Sequence, residues 1–494
     1  MGLKAKTLAD LGLTAQGGRE VRVTGLSVDS RTVEQGHLFA ALPGNRIHGG
    51  EFIQYALRMG AGAVLTDRQG AQIAQAELAA SDAALIVAED PRQTLAFAAA
   101  LWFGMQPDIV AAVTGTNGKT SVATFTRQLW SHLGLKSVNL GTTGIEGAYE
   151  APLAHTTPEP ITLHRLLMEV AEAGVDYVAM EASSHGLAQR RLDGVALAAA
   201  AFTNLSQDHL DYHESFEEYF QAKAGLFTRV LSDDGAAVVN IDDPKGPEIV
   251  DMATARGQDV LTVGRDAEAN LRIRAQRYDA TGQDLRFDWN GRPRQARLDL
   301  IGGFQAENVL AAAGLVIATG CDPTRTFDML PLLKGVRGRM ELAAKRDNGA
   351  AVFVDYSHTP DALKTALKAL RPHVLGRLVV VFGAGGDRDT GKRPMMGEAA
   401  ARYADQAFVT DDNPRSEDPA LIRRAVLSGA PEATEVGDRA EAILRGVDAL
   451  GPGDALLIAG KGHETGQVIG DDVYPFDDVE QASVAVAALD GRYV

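Results

Sequence analysis

A buried-strand pattern, a glycine-rich turn and a helix pattern follow one another without a break over residues 108–132. The apolar run DIVAAV leads into TGTNGKT, which ends at Thr120, and then into SVATFTRQLWSH. In a strand–loop–helix unit of this kind, backbone N–H groups and the helix N-terminus bind phosphate oxygens. Lys119 would reach the terminal phosphates, and the Thr120 hydroxyl would bind magnesium. The segment therefore predicts a nucleotide-phosphate site within an α/β domain.

This loop departs from the general G-x-x-x-x-G-K-[ST] pattern. Val113 stands where the first glycine is expected, and a glycine follows two residues later. An ordinary glycine turn with a Lys-Thr pair by chance is the alternative interpretation. The strand before the loop and the helix after it favour the phosphate site. The predicted phosphate-binding residues are Gly115, Thr116, Asn117, Gly118, Lys119, Thr120 and Ser121.

Strand and helix patterns alternate along most of the chain. They divide it into three stretches that differ in the length and spacing of their apolar runs. Residues 1–88 combine short apolar runs with a helix pattern and predict a small N-terminal α/β domain. Residues 89–334 contain continuous apolar runs, typical of a parallel sheet covered on both faces, and predict a central P-loop ATPase-like domain. Residues 335–494 alternate again and predict a doubly wound, Rossmann-like C-terminal domain. Three α/β domains suit 494 residues, since a domain takes about 150.

Composition excludes several classes of protein. The single cysteine, Cys321, excludes a disulfide framework and a cysteine-based zinc site, and a packed thiol is the default for it. The net charge of −17 argues against duplex DNA or an acidic membrane as the main partner. The N-terminus lacks a signal-peptide pattern, and the apolar run 95–105 is far shorter than the ~20 residues of a membrane span. We therefore expect a cytoplasmic protein with small-molecule partners.

Eight further motifs follow TGTNGKT along the chain. They are MEASSHGLAQRR (180–191), FTNLSQDHLDYH (202–213), AKAGLF (222–227), FQAENVLAA (304–312), GRME (338–341), DYSHTPDAL (355–363), DNPR (412–415) and GKGHE (460–464). In order and spacing this set resembles the Mur ligases, relatives of the folylpolyglutamate synthetases, and within them the MurE branch. The resemblance runs over nearly the whole chain.

The resemblance implies an ATP-dependent, ADP-forming amide ligase of peptidoglycan synthesis. Such an enzyme adds meso-2,6-diaminopimelate to UDP-N-acetylmuramoyl-L-Ala-D-Glu. In the family the substrate carboxylate attacks the γ-phosphate of ATP and becomes an acyl phosphate, which the incoming amine then attacks. The enzyme must hold several anionic groups together, so cations have to converge locally despite the charge of −17. The implied cofactors are ATP and Mg²⁺, and a monomer is expected.

The catalytic and metal-binding residues are also assigned by resemblance. Glu181 ends an apolar strand at the sheet edge where α/β proteins bind ligands, and it would hold magnesium with Thr120. His209 resembles the family's ligand to a second magnesium ion. Lys223 corresponds to a lysine that the family carries as N6-carboxylysine, and Lys119 completes the catalytic set. Taken alone, these residues could instead be a strand-end acid, a surface histidine and a lysine on a solvated helix face.

The substrate contacts are implied in the same way. Asn308 resembles an adenine-contacting asparagine, whereas Arg339 and Asp355 resemble ribose- and phosphate-facing residues; a helix-end salt bridge and a strand-end N-cap are the alternatives for the latter two. Residues that resemble contacts to the UDP-sugar-peptide are Ser27, Ser30, Arg31, Thr156, Thr157, Ser183, Gln189 and Arg191. A carboxylate of the D-Glu residue could be neutralised by the fork of Arg191.

The amino-acid site is predicted where DNPR and GKGHE each follow an apolar strand. The Arg415 fork suits a carboxylate, and Glu464 suits an ammonium group, so the two match the distal zwitterion of diaminopimelate. In the family, DNPR marks the diaminopimelate enzymes. The predicted diaminopimelate-binding residues are Arg388, Asp412, Asn413, Pro414, Arg415, Gly460 and Glu464. For Arg388 the alternative is a structural pairing with a neighbouring aspartate, Asp387 or Asp389.

Three rival functions remain open at this point. A lysine-adding homologue is disfavoured by DNPR, because an unpaired Arg415 would repel the distal ammonium of lysine. A folylpolyglutamate synthetase is disfavoured because a separate domain precedes the phosphate loop. A P-loop regulatory protein is disfavoured because it needs neither residues that hold a second metal ion nor an amino-acid pocket.

Overall fold

The computed structural model describes residues 4–44, 46–206, 212–213 and 215–492. It is a mixed α/β structure whose larger sheets are mainly parallel, so the predicted fold class is confirmed. The chain divides into two compact units: Met1–Gly264 with Ala311–Thr326, and Arg265–Leu310 with Phe327–Val494. The boundaries 1–88, 89–334 and 335–494 remain predictions. Within the described residues, no helix is both long and apolar enough to cross a bilayer.

The first unit begins with a four-stranded parallel sheet, β3-β4-β5-β6, beside a short antiparallel pair, β1-β2. Its strands are β1 (Lys6–Thr7), β2 (Arg22–Val23), β3 (Leu26–Ser27), β4 (Leu38–Ala40), β5 (Ala63–Thr66) and β6 (Ala84–Val87). Its helices are α1 (Ile53–Arg58), α2 (Arg68–Ile73), α3 (Gln75–Ala79) and α4 (Pro91–Phe103). Every residue of β4 and β5 is buried, because helices cover the sheet.

A larger run of strands follows in the same unit, in the order β13-β12-β11-β7-β10-β8-β9. All are parallel except β9, which forms a hairpin with β8. The strands are β7 (Ile109–Thr114), β8 (Ser137–Gly141), β9 (Gly144–Gly147), β10 (Tyr177–Glu181), β11 (Ala199–Phe202), β12 (Ala236–Asn240) and β13 (Asp259–Gly264). The helices are α5 (Lys119–His132), α6 (Pro160–Glu172), α7 (Ser184–Ala188), α8 (Phe216–Gly225) and α9 (Gly246–Ala255). The residues of these strands are mostly small or apolar, and they are buried on both faces of the sheet.

Strand register explains where a site can form in this unit. Glu181 pairs with Val113, and Phe202 pairs with Thr114, so β7, β10 and β11 end at the same edge. Because ligands of parallel sheets bind beyond the carboxyl ends of the strands, the loops after these three strands lie where chemistry is expected.

An antiparallel meander that the sequence analysis did not predict opens the second unit. Its strands are β14 (Leu271–Asp279), β15 (Gly282–Trp289) and β16 (Arg292–Leu298). Leu271 and Ile273 are buried on either side of a half-buried arginine, and β15 alternates in the same way. This period of two is typical of a half-buried strand. Two helices follow, α10 (Gln305–Ala318) and α11 (Pro323–Asp328), and α10 carries the chain into the first unit.

The rest of the second unit is a six-stranded sheet in the order β17-β18-β22-β19-β20-β21. Only β17 is antiparallel within it. The strands are β17 (Glu341–Lys345), β18 (Ala351–Asp355), β19 (Leu378–Phe382), β20 (Gln406–Val409), β21 (Thr434–Glu435) and β22 (Ala455–Ala459), with a separate hairpin of β23 (Gly466–Ile469) and β24 (Asp472–Pro475). The helices are α12 (Pro360–Leu370), α13 (Lys392–Tyr403), α14 (Pro419–Leu427), α15 (Arg439–Asp448) and α16 (Asp478–Leu489). Two apolar cores flank the sheet, which is the predicted doubly wound arrangement.

Candidate active site

The phosphate loop of the first unit packs against the segment that follows β11. Gly115 has a φ of +147°, and a Cβ atom there would lie only 1.9 Å from Thr203 Oγ1, so no larger residue fits. The Thr116 N–H donates to the Asn204 carbonyl at 2.8 Å, and the Asn117 N–H donates to Asn204 Oδ1 at 3.0 Å. Two neighbouring strand ends therefore fix the backbone of the loop.

Two lysine ammonium groups converge on this loop. Lys119 begins α5 and donates to the carbonyl oxygens of Gly115 and Thr116, each at 2.9 Å. Lys223, on α8, is 1% exposed and donates to the same Gly115 oxygen at 2.7 Å. Its Nζ also lies 4.5 Å from the centroid of the Tyr219 ring. Lys223 is thus buried beside the phosphate loop rather than placed on a solvated helix face.

Glu181 ends β10 with its carboxylate held from two sides. Thr142, which follows β8, donates its N–H to Oε1 at 2.7 Å and its hydroxyl to Oε2 at 3.2 Å. The Thr120 hydroxyl donates to Oε2 at 3.1 Å. A carboxylate and a hydroxyl are oxygen ligands of the kind that Mg²⁺ takes alongside water and phosphate oxygens, so this donor set fits magnesium.

The described residues contain no cluster of three or more His, Cys, Asp and Glu side chains able to hold a metal alone. A magnesium ion bound largely through substrate phosphates does not need one. His209, the predicted ligand of a second ion, lies outside the described residues. That assignment stays a prediction.

Three of the predicted sugar-peptide residues form a network around Glu181. The Thr157 hydroxyl donates to the Glu181 carbonyl at 3.0 Å and lies 3.1 Å from Ser183 Oγ. The hydroxyl of Thr156 lies 3.1 Å from that of Thr142. These residues therefore surround the strand end that carries the predicted magnesium ligand.

Arg191 and Gln189 extend the network. Arg191 donates from Nη1 to the Thr157 carbonyl at 2.6 Å and from Nη2 to Gln189 Oε1 at 2.8 Å. Gln189 in turn donates to the Tyr212 hydroxyl at 3.0 Å. Burial lowers the pKa of Arg191, although the group remains a cation at neutral pH. The structure thus places a partly buried positive charge beside Thr157.

The three predicted residues of the N-terminal sheet form a separate cluster. Arg31 pairs with Asp29 at 2.6 Å and is largely exposed, and Ser30 opens the short 3-10 turn between Asp29 and Val33. The Arg31 guanidinium lowers the pKa of Asp29 to about 2. The Ser27 hydroxyl donates to the Asp29 carbonyl at 2.8 Å. A loop rich in N–H and hydroxyl donors, with one exposed arginine, suits an anionic ligand.

In the second unit, the loops after β20 and β22 contact each other, and we refer to the group of polar side chains where they meet as the pocket. Asn413 Nδ2 donates to Glu464 Oε2 at 2.9 Å, and burial raises the pKa of Glu464. A Cβ atom on Gly460 would lie 2.5 Å from Asp412 Oδ2, so only glycine allows these loops to come this close. A carboxylate and an amide are therefore held side by side.

Arg415 brings the guanidinium to the same loop. It has a φ of +53°, and its N–H donates to the Val468 carbonyl of β23 at 3.0 Å. Its Nη1 donates to the Gly386 carbonyl at 2.8 Å, while a side chain at Gly386 would strike the Pro414 carbonyl. These contacts hold the backbone of Arg415 in an uncommon conformation, and such conformations are often found at functional sites.

Arg388 lies on the neighbouring loop. Within the described residues its side chain makes no ion pair with Asp387 or Asp389, but its Nη1 donates to the Asp387 carbonyl at 3.4 Å, and its charge contributes to lowering the pKa of the Asp387 carboxylate. The Asp387 carboxylate accepts from the N–H and hydroxyl of Ser416 instead. The Arg388 charge is exposed near the pocket.

The three predicted ATP contacts of the second unit lie in different local environments. Asn308, on α10, is buried and donates to Gln305 Oε1 at 3.2 Å. Asp355 ends β18 and accepts the Met340 N–H at 2.7 Å, and burial raises the pKa of Asp355. The Arg339 guanidinium lies 4.7 Å from the centroid of the Tyr356 ring.

The N-cap alternative for Asp355 is not what the structure describes, because the N-cap of α12 is Thr359. The Arg339 guanidinium lies over the Tyr356 ring, and its charge opposes the rise in the pKa of Asp355. Cys321 follows α10 and is half-buried, with a thiol pKa raised by burial, which agrees with a packed thiol.

Models of three protein families match successive parts of the chain. They are "Mur ligase family, catalytic domain" at residues 22–102, "Mur ligase middle domain" at 113–316 and "Mur ligase, glutamate ligase domain" at 338–462. Over 474 residues the chain is 48% identical to the UDP-N-acetylmuramoyl-L-alanyl-D-glutamate–2,6-diaminopimelate ligase of Bradyrhizobium diazoefficiens, covering 95% of this chain and 96% of that one. The chain belongs to the Mur ligase family.

Other relatives agree with this membership. The enzyme of the same name from Brucella melitensis is 45% identical over 488 residues, or 98% of this chain and 99% of that one. A solved structure of a ligase of that name is 34% identical, with a TM-score of 0.72 and coverage of 98% and 99%. MurF from Acinetobacter baumannii shares the fold at 18% identity, with a TM-score of 0.63 and coverage of 93% and 96%. The predicted resemblance to the Mur ligases is therefore confirmed.

Several residues of this Mur ligase site were missed by reasoning from sequence. Thr142 holds Glu181, and Thr203 and Asn204 hold the phosphate loop. Each lies within two residues after a strand that ends at the same sheet edge, which is the signal that could have identified them. Lys461 was also missed, although it lies inside the GKGHE motif.

Proposed function

We propose that this chain is the ATP-dependent, ADP-forming ligase that joins meso-2,6-diaminopimelate to UDP-N-acetylmuramoyl-L-Ala-D-Glu. The observation that carries the proposal is a pocket with both a guanidinium and a carboxylate, in a chain that aligns along nearly its whole length with diaminopimelate ligases. A phosphate loop in the same chain provides for ATP.

The residues around the phosphate loop would activate the carboxylate. Carboxylate oxygen is a poor leaving group, so the substrate carboxylate attacks the γ-phosphate of ATP, ADP leaves, and an acyl phosphate forms. The N–H groups of the loop and the Lys119 ammonium would bind the phosphates and offset the repulsion between anions. Magnesium, held by Thr120 and Glu181, would add positive charge at the transferred phosphoryl group.

Lys223 and His209 belong to the second part of this proposal. Carbon dioxide adds to a neutral lysine amine to give N6-carboxylysine, which turns a cation into a carboxylate-like anion. On Lys223 such an anion would lie beside the phosphate loop and, with His209, would hold a second magnesium ion. The burial of Lys223 against Gly115 supports a role at the loop.

The dipeptide end of the nucleotide would be bound by the network that contains Thr156, Thr157, Ser183, Gln189 and Arg191. The UDP end would be bound by Ser27, Ser30 and Arg31. In both places hydroxyl donors and an arginine are available for anionic groups.

The second unit would deliver the amino acid. We assign the distal carboxylate of diaminopimelate to Arg415 and Arg388, and its distal ammonium group to Glu464. Asp412, Asn413, Pro414 and Gly460 shape the pocket. Lysine has no distal carboxylate, so it would leave Arg415 facing an ammonium group. Asn308, Arg339 and Asp355 are assigned to the adenosine and phosphate parts of ATP.

The attacking amine then displaces phosphate from the acyl phosphate and completes the amide. The product is a peptidoglycan precursor, so the reaction contributes to the cell wall, and through it to cell shape and division. We propose that the enzyme works as a monomer in the cytoplasm, where ATP is available. Its partners would be small molecules rather than nucleic acid or lipid.

One experiment tests this function and its specificity together. Phosphate release is measured with ATP, Mg²⁺ and UDP-N-acetylmuramoyl-L-Ala-D-Glu, and diaminopimelate, lysine or ornithine is added in turn. We expect release only with diaminopimelate. Equal turnover with lysine would assign the chain to the lysine-adding enzymes, and hydrolysis that needs no amino acid would favour a nucleotide-dependent regulatory protein.

A further inference from the structure

Lys461 is a fully buried lysine beneath the amino-acid pocket. It lies between Gly460 and Gly462, whose φ values of +122° and +56° few other residues adopt. This backbone directs the side chain into the unit, where it is 0% exposed. Buried lysines are rare unless they are paired. Lys461 is therefore expected to have polar or charged partners, and residues of the pocket provide them.

The hydrogen bonds of Lys461 determine the orientation of Asn413. Lys461 Nζ donates to Asn413 Oδ1 at 2.8 Å and to the Gly466 carbonyl at 2.7 Å. The Val468 N–H donates to the same Asn413 oxygen at 2.9 Å. With both donors on Oδ1, the amide nitrogen must face the other way, towards Glu464 Oε2 at 2.9 Å. Lys461 thus acts on Glu464 through the side chain of Asn413.

The charge of Lys461 also balances two carboxylates. Its Nζ lies 3.7 Å from Asp412 Oδ1 and 3.8 Å from Glu464 Oε2. Burial raises the pKa of Glu464, and Asp412 raises it further, whereas the Asn413 hydrogen bond and Lys461 oppose this rise. Without the lysine, two neighbouring carboxylates would share a half-buried pocket, and like charges disfavour ionisation.

We propose that Lys461 is a positioning residue for amino-acid selection, which fixes the Asn413 amide and keeps Glu464 oriented and charged to receive an ammonium group. The proposal rests on the diaminopimelate-adding function proposed above. Lys461 is buried beneath the pocket, so it determines what Glu464 can bind without being the group that binds it.

The test uses Lys461→Met, which keeps the length of the side chain and removes its charge and donors. We expect KM for diaminopimelate to rise about tenfold to hundredfold, as for the loss of a charged hydrogen bond. KM for ATP and for the nucleotide substrate should stay within about twofold. Lys345→Met, at the exposed end of β17, is the matched control and should leave all three values unchanged. A uniform loss of kcat with unchanged KM values would overturn the proposal.

A double-mutant cycle with Glu464→Gln separates positioning from packing. If Lys461 acts through Glu464, then Lys461→Met added to Glu464→Gln raises KM for diaminopimelate no more than about threefold further. A multiplicative loss would mean that Lys461 only supports the fold. The double variant also removes one of the two carboxylates that Lys461→Met leaves without their cation, so it provides the answer if the single variant does not fold.

The unaltered enzyme is assayed in the same series. If it does not use diaminopimelate, the proposed function fails. If it does, and KM for diaminopimelate is unaffected by Lys461→Met, only the role of Lys461 fails.

Discussion

The side-chain ammonium of Lys223 donates a hydrogen bond to the main-chain carbonyl oxygen of Gly115, and the two atoms are 2.7 Å apart. Helix α8 is thereby joined to a phosphate loop that precedes it by more than a hundred residues in the sequence. Because Lys223 is buried, a change in its charge acts on the loop rather than on solvent. A change in the protonation or covalent modification of Lys223 should therefore alter the phosphate loop and, through it, the proposed ATP site.

We therefore expect Lys223→Ala to abolish ligation. If the residue functions as N6-carboxylysine, short carboxylic acids such as formate or acetate should restore part of the activity, because they can take the place of the missing carboxylate. Phosphate release with diaminopimelate measures both effects. Lys245→Ala is the control, since Lys245 contacts the same helix but its ammonium group pairs with Glu217 and Glu248 and not with a loop carbonyl. Full activity in Lys223→Ala would contradict the assignment.

Thr142 offers a second prediction, about the magnesium site. Thr142→Val removes the hydroxyl that donates to Glu181 Oε2 but keeps the backbone N–H on Oε1. Loss of a group that orients a metal ligand typically weakens metal binding, so we expect the Mg²⁺ concentration for half-maximal activity to rise about tenfold. A magnesium titration at saturating ATP measures it.

Thr143→Val is the matched control for this titration. The buried Thr143 hydroxyl has no hydrogen-bond partner among the described residues. Its removal should leave the magnesium requirement unchanged. The same shift in both variants would show that the effect comes from the loop as a whole and not from contact with Glu181.

Much of the fold follows from patterns that burial alone dictates. Strands such as β7, β10 and β19 are continuous apolar runs, because helices cover both faces of their sheets. The β14–β16 meander was missed because one of its faces is polar and rich in arginine, so the weaker period-two signal was not used. The spatial order of the strands, with β7 between β10 and β11, depends on tertiary pairing that no local pattern specifies.

The candidate site divides in the same way. Glu181 and Arg415 could be predicted because chemistry-bearing residues after apolar strands lie at the ligand edge of a sheet. Thr142 and Lys461 could not be assigned roles in advance. The role of Thr142 depends on which strand end lies beside β10, and that of Lys461 on a turn made by two glycines with positive φ. Such roles arise from three-dimensional contacts and not from residue type.

Arg415 carries a prediction about the amino-acid substrate. Arg415→Ala removes the fork assigned to the distal carboxylate, so kcat/KM for diaminopimelate should fall by the equivalent of about 1.5–3 kcal/mol. The discrimination against lysine should decrease, because the repelling guanidinium is gone. Arg424→Ala, on the exposed face of α14, should change neither value. Unchanged selectivity in Arg415→Ala would assign the carboxylate to another group.

His164 makes stability depend on pH. Burial lowers its pKa to about 4, and its Nε2 lies 3.3 Å from the Asp193 carbonyl. An unfolded histidine has a pKa near 6.5, so between about pH 6.5 and pH 4 the unfolded chain binds more protons than the folded one. The contribution of His164 is complete above that range and is lost as the pH falls through it, by up to about 1.4 kcal/mol per pH unit.

Thermal denaturation between pH 7 and pH 4.5 tests this dependence. The midpoint for His164→Gln should fall less steeply with decreasing pH than that of the unaltered protein. His132→Gln provides the comparison, because His132 is exposed at the end of α5. Parallel pH profiles for all three proteins would mean that His164 is not protonated on unfolding.

The last prediction concerns the ion pair beneath the amino-acid pocket. Arg439 and Asp478 are both 0% exposed and lie 2.7 Å apart, and Arg439 also donates to the carbonyl of Ala459, the residue before Gly460. Arg439→Met leaves a buried carboxylate without its cation, so we expect a loss of about 3–5 kcal/mol in the free energy of unfolding. Urea denaturation of the single variant measures it.

Replacing both Arg439 and Asp478 distinguishes the effect of an unpaired buried charge from the effect of losing the Arg439 hydrogen bond near the pocket. Arg439→Met with Asp478→Leu should recover most of the lost stability, because an apolar pair no longer requires desolvation of a charge. Its KM for diaminopimelate should nevertheless stay raised, because the Ala459 carbonyl, and with it the turn into Gly460, has lost its donor. Arg445→Met, from an exposed pair on the same helix, should cost less than about 1 kcal/mol. A double variant that is stable and also has a normal KM would show that the buried pair contributes to the fold alone.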